Sequence, residues 1–309
     1  MQEDWIIIAN RLAGKGQIGN QRARALDGLK LHKLPFILEQ TNSLEETERL
    51  VLGHLIDGAK KFLVLGGDGS VNGLLNILMK QNVEAPNQLI MAAIPLGSGN
   101  DWVRTHGFFG KMEENIGIIA NTIIKPHDVG KIVIDKAGQS IVHYFINMVG
   151  GAFDPRVVER HNELSPGIRR KPGSYMLALL LTFIKYHGER IILEIDGNRK
   201  TSNLFNLNVA IGKFAGGGML LAPTARYDDG RFEIISVKSL SKWKIIRNLV
   251  KVYRGNHLQN SEITVASGKK LMVEYENEGL LESDGELLPP AHRFEITIMP
   301  KAIKVISNK

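Results

Sequence analysis

The stretch Phe62-Leu63-Val64-Leu65-Gly66-Gly67-Asp68-Gly69-Ser70-Val71-Asn72 decides how this chain is read. Four apolar residues in a row read as a buried strand, and the apolar-periodic run over 71–79 reads as a helix. Between them lie three glycines, an aspartate and a serine. A strand, a glycine-rich turn and a helix start make a device for holding phosphate. Glycines let the backbone come close, and free N–H groups at the helix N-terminus face the anion. Asp68 is the residue of this turn that can handle a metal or a proton. The stretch points to a nucleotide-using enzyme.

Outward from it, the flanking segments alternate. Strands over 5–9, 35–38, 62–65 and 89–95 are separated by helices over 20–31, 43–56 and 71–79. Such alternation implies parallel pairing in an α/β layer. Ser43 with Glu46 three residues later makes a capping box for the second helix. Beyond about residue 127 the texture changes. Runs at 131–134, 142–147, 191–195, 206–211, 232–237, 262–266, 271–275 and 294–298 read as strands, many parted by turns such as Asp196-Gly197-Asn198 and Asp229-Gly230. Helical runs cover 174–186 and 241–253. The expectation is an α/β N-terminal nucleotide domain over 1–127, a parallel sheet flanked by helices. A β-rich sandwich domain follows over 128–309, and its C-terminal tail can return to the first domain.

A chain of 309 residues is long enough for two cores. The absence of cysteine excludes disulfides, thiolate metal sites and cysteine nucleophiles, and fits a reducing cytoplasm. The acidic start Met1-Gln2-Glu3-Asp4-Trp5 does not read as a signal peptide. No apolar run approaches the ~20 residues of a membrane span. A net charge of +7 suits ATP or anionic lipid headgroups as a partner, and equally suits plain solubility. Aromatic content is only 6% and no nucleic-acid-binding signature is present, so no nucleic acid partner is expected. The nine histidines lack metal spacing and there is no G-x-S-x-G, which leaves zinc and serine-hydrolase chemistry without support.

A second glycine-rich turn, Ile94-Pro95-Leu96-Gly97-Ser98-Gly99-Asn100-Asp101, follows the fourth strand. Both turns would sit at the carboxyl edge of one sheet, where ligands bind in open α/β folds. Neither the P-loop pattern nor the G-x-G-x-x-G dinucleotide fingerprint is present. The first turn resembles the G-G-D-G-[TS]-x-N signature of the diacylglycerol kinase catalytic domain family. The second is similar to that family's P-x-G-[TS]-x-N-D. Asp128-Val129-Gly130 resembles its D-[LV]-G, and Gly216-Gly217-Gly218-Met219 through Ala222-Pro223-Thr224-Ala225 to Asp228-Asp229-Gly230 resembles G-G-G-M, P-x-A and D-D-G. Asp284-Gly285-Glu286 resembles its late D-G-E. The motifs stand in the family's order and cover essentially the whole chain. The nucleotide domain of this family resembles that of NAD kinases and phosphofructokinases.

The resemblance implies a soluble bacterial lipid kinase that uses ATP and Mg2+, with ATP in the cleft between two domains. It implies nucleotide contacts from Asn10, Arg11, Leu12, Ala13, Gly14, Thr41, Gly66, Gly67, Asp68, Gly69, Ser70, Val71, Asn72 and Ser98. Lys15 reads as a phosphate-reaching point charge or as a solvated loop lysine. The metal would be held by Asp229 with backbone carbonyls near Arg226 and Arg231, although Asp-Asp-Gly is also an ordinary hairpin turn. The base that takes the proton of the attacking hydroxyl would come from D-G-E, Glu286 first and Asp284 beside it, with Asp68 as the alternative. Two positions depart from the family pattern. Gly73 stands where the family carries glutamate, and Arg11 where it carries proline.

The run over 174–186 is apolar nearly all round. It reads as a buried helix, or as a lip for acyl chains beside the basic Arg169-Arg170-Lys171. The expected partners are a lipid substrate at the membrane surface and peripheral contact at the inner membrane face, and exposed strands could pair with a second copy. Two other readings stay open: a kinase for a soluble hydroxyl substrate, and a catalytically weak nucleotide- or lipid-binding module motivated by Gly73.

Overall fold

The computed structural model describes residues 4–10, 17–80, 86–97, 99–121, 123–136, 138–169, 173–239, 241–244, 251–252 and 254–308. The chain divides into two compact units. The first is Met1–Val129 with Phe214–Gly218 and Met299–Lys309, and the second is Gly130–Lys213 with Met219–Ile298.

The first unit alternates as its sequence demands: β1 (Trp5–Asn10), α1 (Gln17–Leu31), β2 (Phe36–Thr41), α2 (Leu44–Ile56), β3 (Lys61–Gly66), α3 (Asp68–Lys80), β4 (Ile90–Pro95), α4 (Asp101–Thr105) and α5 (Met112–Asn121). Within this unit the parallel strands lie in the order β4-β3-β1-β2. β1, β3 and β4 are buried along nearly their whole length, because helices cover both faces, and so they read as unbroken apolar runs. α1 packs with α5, and α2 packs with α3 and β2. The chain leaves β1 toward β2 on one side and returns to β3 on the other. The sheet's switch point, where an open α/β sheet binds its ligand, is therefore at the carboxyl ends of β1 and β3. Ser43 caps α2 by accepting the Glu46 N–H at 3.1 Å. The returning Glu46 carboxylate takes the N–H of Asn42 at 2.7 Å, one residue before the cap.

The second unit is built from β5 (Ile124–Lys136), β6 (Gln139–Phe145), β7 (Met148–Ala152), α6 (Phe153–Glu163), α7 (Pro166–Arg169), α8 (Ser174–Lys185), β8 (Glu189–Ile195), β9 (Asn198–Ala210), β10 (Phe232–Lys238), β11 (Ile263–Gly268), β12 (Lys270–Gly279), β13 (Leu281–Ser283), β14 (Glu286–Leu287) and β15 (Ala291–Ile306). β5 starts in the first unit, and β15 ends there, where Lys304 and Val305 pair in parallel with Ile90 and Met91 of β4. Within the second unit the strands pair antiparallel. β9 is the hub, bonded to β7, β8 and β10. Phe145, Phe232, Phe294, Leu207 and Val273 lie at the centre of its core.

Two expectations need amending. A helix over 153–163 and a strand over 148–152 occupy stretches that carried no assignment. α8 is not buried all round: Ala178 faces the small core of Phe153, Val157 and Phe205, while Met176, Leu180 and Ile184 are exposed. In the helical run over 241–253, residues 242–244 and 251–252 are helical, Ser241 is not, and 245–250 and 253 lie outside the described residues.

Candidate functional site

Asn10 and Thr41 are Cα partners at the ends of β1 and β2, and Gly66 and Pro95 are partners at the ends of β3 and β4. The parallel register thus gathers four of the expected turns along one edge. Of the residues named for the nucleotide, Arg11, Leu12, Ala13, Gly14 and Ser98 lie outside the described residues, as does Lys15. Thr41 is buried and accepts the Thr47 hydroxyl at 2.8 Å. The Asn10 carbonyl accepts the Arg22 guanidinium at 2.6 Å.

The two glycine turns touch. A Cβ on Gly67 would lie 3.1 Å from the Gly97 Cα, and one on Gly97 would lie 2.8 Å from the Gly67 Cα. Only paired glycines let these backbones meet. Asn100, at φ 54°, braces the second turn: its side chain accepts the Gly97 N–H at 3.1 Å and donates to the Gly97 carbonyl at 2.6 Å. A Cβ on Gly69 would meet nothing within 4 Å, so the first turn of α3 opens onto free space. Free N–H groups at that helix start, with open space above glycine, fit a phosphate. Val71 and Asn72 face inward. Val71 is buried, and Asn72 accepts the Asn76 amide at 3.0 Å, so these two side chains seat the helix. A Cβ at Gly73 would meet only Leu44 Cδ1, at 3.2 Å, at the start of α2.

Two carboxylates flank the second turn. A Cβ on Gly99 would lie 2.8 Å from Asp68 Oδ2 and 3.6 Å from Asp101 Oδ2. Asp68 also accepts the Trp102 N–H at 3.2 Å. Asp101 accepts the N–H groups of Gly217 at 2.8 Å and Gly218 at 2.6 Å, which anchors the G-G-G-M loop. Burial pushes the Asp101 carboxyl above the usual carboxylate range, and nearby Asp68 adds to the rise against the pull of the two amides. An oxygen-rich pair of this kind suits a hard cation. Asp101 is quoted in the motif but is not among the expected site residues. Its signal was its place at a helix start after the second turn. Beside that turn an open cavity of about 460 Å³ is lined by Pro95, Asn100, Arg104, Phe108, Lys111 and Arg24. Glu113 also lines it and pairs with Arg24 at 2.6 Å, which leaves Arg104 and Lys111 as its cations toward an anion. Asp128 of the third motif accepts the Lys301 N–H at 2.7 Å, a structural tie to the C-terminal strand.

In the second unit, Asp284 and Gly285 have φ of 49° and 88°, the left-handed pair of a tight hairpin between β13 and β14. The Asp284 carboxylate accepts three backbone N–H groups: Ile146 at 3.0 Å, Asn147 at 3.1 Å and Met148 at 2.8 Å. Its oxygens are committed to holding β7 against the hairpin. Glu286 is exposed and makes no side-chain hydrogen bond among the described residues. Glu282 accepts the Gly285 N–H at 2.8 Å and lies beside Asp154, which accepts the amides of Asn206 and Asn208. Burial, with Asp154 next, pushes Glu282 up to about 8. Neither Glu282 nor Asp154 was foreseen, since isolated acids on a strand and a helix carry no motif.

Asp229 Oδ1 accepts the Arg231 N–H at 3.0 Å, the side-chain bond of an Asx turn. Arg231 donates onward to Ser267 at 2.8 Å, and Arg226 lies 3.9 Å from Asp228. One free carboxylate oxygen and turn carbonyls remain, a donor set that suits a largely hydrated Mg2+. Among the described residues no group of three or more His, Cys, Asp or Glu gathers as a metal cluster. No described helix is long and apolar enough to cross a membrane.

Comparison with known proteins shows the family and the fold. Residues 4–132 match the diacylglycerol kinase catalytic domain, and residues 147–307 match the YegS C-terminal NAD kinase β-sandwich-like domain. The chain is 25% identical to a diacylglycerol kinase of Mycobacterium tuberculosis, over 97% of this chain and 93% of that one. It is 29% identical to a "Probable lipid kinase YegS-like" of Shewanella frigidimarina, over 84% and 80%. Its fold is similar to the crystal structure of a diacylglycerol kinase from Bacillus anthracis, with TM-score 0.72, 20% identity, and coverage of 99% and 97%.

Proposed function

This chain belongs to the family of lipid kinases that join a diacylglycerol kinase catalytic domain to a YegS-type β-sandwich domain, and on that premise we propose that it transfers the γ-phosphoryl group of ATP to a hydroxyl of a diacylglycerol-like lipid. The observation that carries the nucleotide half is the contact of Gly67 with Gly97, which brings two phosphate-type turns to one sheet edge. The start of α3 donates its free N–H groups to the phosphates, and Asn100 keeps the second turn in place. Asn10 and Thr41 extend the same edge. Mg2+ would be held by the Asp68 and Asp101 carboxylates, where it would offset phosphate charge, and Asp229 with the carbonyls of Arg226 and Arg231 would hold a second, hydrated ion.

Glu286 is the base. It is exposed and free to accept the proton of the lipid hydroxyl as that oxygen attacks. Asp284, saturated by three N–H groups, holds the hairpin that presents Glu286. Asp68, on the nucleotide side, orients charge rather than taking that proton.

The test is phosphoryl transfer from labelled ATP with Mg2+ to diacylglycerol in mixed micelles, run beside Glu286→Gln. Labelled lipid from the parent protein, and a roughly 100-fold or greater loss in the variant, is the expected result. Turnover of a soluble alcohol without micelles would replace the lipid acceptor. ATP binding with no turnover of any acceptor would leave a binding module.

A further inference from the structure

We propose that the outer face of α8, together with Trp243, is a membrane-docking surface that seats the second unit on an anionic bilayer. The inference deepens the lipid-kinase reading, on which it rests for its purpose, by naming the surface that meets the lipid.

At about 100° per residue, Met176, Leu177, Leu180, Leu181 and Ile184 share one face of α8. That face is open: Met176 is 53% exposed, Leu180 51% and Ile184 63%. The opposite face is already satisfied, with Ala178, Leu179 and Phe183 packed against Phe153, Val157 and Phe205. The helix is therefore apolar on two sides, and only the inner side has a protein partner among the described residues. Its neighbours continue the patch. Ile168 of α7 is exposed, and Trp243 is 81% exposed on a segment whose Lys242 ammonium donates to the Ile184 carbonyl. Tryptophan and lysine are the side chains that suit the boundary between headgroups and acyl chains.

Charge selects the occupant. Between Glu163 and Glu189 the sequence has no acidic residue and four basic ones, Arg169, Arg170, Lys171 and Lys185. The acids beside this face are paired with arginines of α6: Glu159 and Glu189 share Arg156, at 3.2 and 2.8 Å, and Glu163 meets Arg160 at 2.9 Å. An apolar stripe in a stretch of sequence that carries cations and no acid fits anionic headgroups over an acyl layer. A 12-residue helix is only about 18 Å long, too short to cross the ~30 Å core, so it lies in the interface plane.

The chain carries its own reporter. Of its three tryptophans, Trp5 and Trp102 are each 2% exposed, so a change of solvent is felt by Trp243. Mixing the full chain with vesicles of phosphatidylglycerol and phosphatidylcholine, without nucleotide, is expected to shift its emission to the blue and to carry the protein into the vesicle pellet. Pure phosphatidylcholine vesicles are expected to bind at least about tenfold more weakly, since headgroup charge supplies part of the attraction. Leu180→Glu with Ile184→Glu should weaken pelleting roughly tenfold or more, and the milder Leu180→Gln with Ile184→Asn should weaken it in the same direction. Three results overturn the proposal: no blue shift with anionic vesicles, equal binding to both vesicle types, or a dimer in solution that the substitutions dissociate while vesicles stay unbound. Because neither ATP nor turnover enters the measurement, a failed docking test leaves the kinase reading standing, and an inactive protein that still docks leaves this one.

Discussion

Alanine at Gly97 and at Gly69 should separate the two jobs of the glycine turns. A Cβ on Gly97 would stand 2.8 Å from the Gly67 Cα and 3.0 Å from Asn100 Oδ1. Carbon atoms rest at about 3.5–4.0 Å, so the turns must part by roughly 1 Å. Neither obstacle gives easily: one is backbone, and the other is pinned by two hydrogen bonds. Overpacking of this kind costs about 1–3 kcal/mol. Gly69 is the opposite case. Its Cβ would meet nothing within 4 Å, and the residue lies in α3, where alanine gains about 0.5–1 kcal/mol over glycine. Stability should thus fall for Gly97→Ala and rise for Gly69→Ala in urea denaturation. ATP affinity, read by titration calorimetry, should fall in both, by about tenfold or more, equivalent to 1.4 kcal/mol. In one variant the turns have moved, and in the other a methyl enters the space above the helix start. A Gly69→Ala protein that gains stability and binds ATP like the parent would refute the phosphate placement. A Gly97→Ala protein of unchanged stability would refute the contact between the turns.

Three further outcomes follow from the same geometry. Asp284→Asn leaves one acceptor oxygen for three N–H groups and should destabilise the second unit by roughly 2–4 kcal/mol in urea, whereas Glu286→Gln should stay within about 0.5 kcal/mol and still lose turnover. Turnover surviving in Glu286→Gln would move the base elsewhere. Glu282, pushed from 4.5 up to about 8, binds its proton more tightly in the folded state, so its contribution is present below about pH 4.5 and is lost as pH rises through about 8. The slope is at most about 1.4 kcal/mol per pH unit. Glu282→Gln should flatten the fall in urea midpoint between about pH 6 and pH 8, and an unchanged slope would assign that fall to Asp154, which burial shifts in the same direction. Asp101→Asn removes a charge-assisted acceptor from Gly217 and Gly218 and should cost about 1–3 kcal/mol, seen as faster amide exchange at those two glycines; unaltered protection there would show that Asp101 does not hold the loop.

Much of the first unit was legible because its signals are local. β1, β3 and β4 are continuous apolar runs since both faces are covered, and Ser43 announces α2 through a bond three residues long. The second unit was legible in part. β7 reads Met-Val-Gly-Gly-Ala, which lacks the alternation of a half-buried strand, and α6 is rich in charge with a proline near its start. Both take their form from what packs on them: β9 pairs along β7, and α8 covers α6. The apolar run over 174–186 had two readings, and burial alone distinguishes them, because composition does not tell which side of a helix finds a partner.

The sequence by itself determined the alternating α/β unit, the β-rich unit after it and the family, and it singled out the two glycine turns, Asp68, Asp284 and Glu286 as candidates. Each of these rests on neighbours along the chain or on a motif of a few residues. Only the tertiary structure decided that Gly67 meets Gly97, that Asp101 holds a loop more than a hundred residues away, and that Asp284 is locked by strand amides while Glu286 beside it is free. These are contacts between distant segments. Their chemistry depends on which lone pairs and which faces remain open after the strands have paired, and one-dimensional spacing carries no record of that.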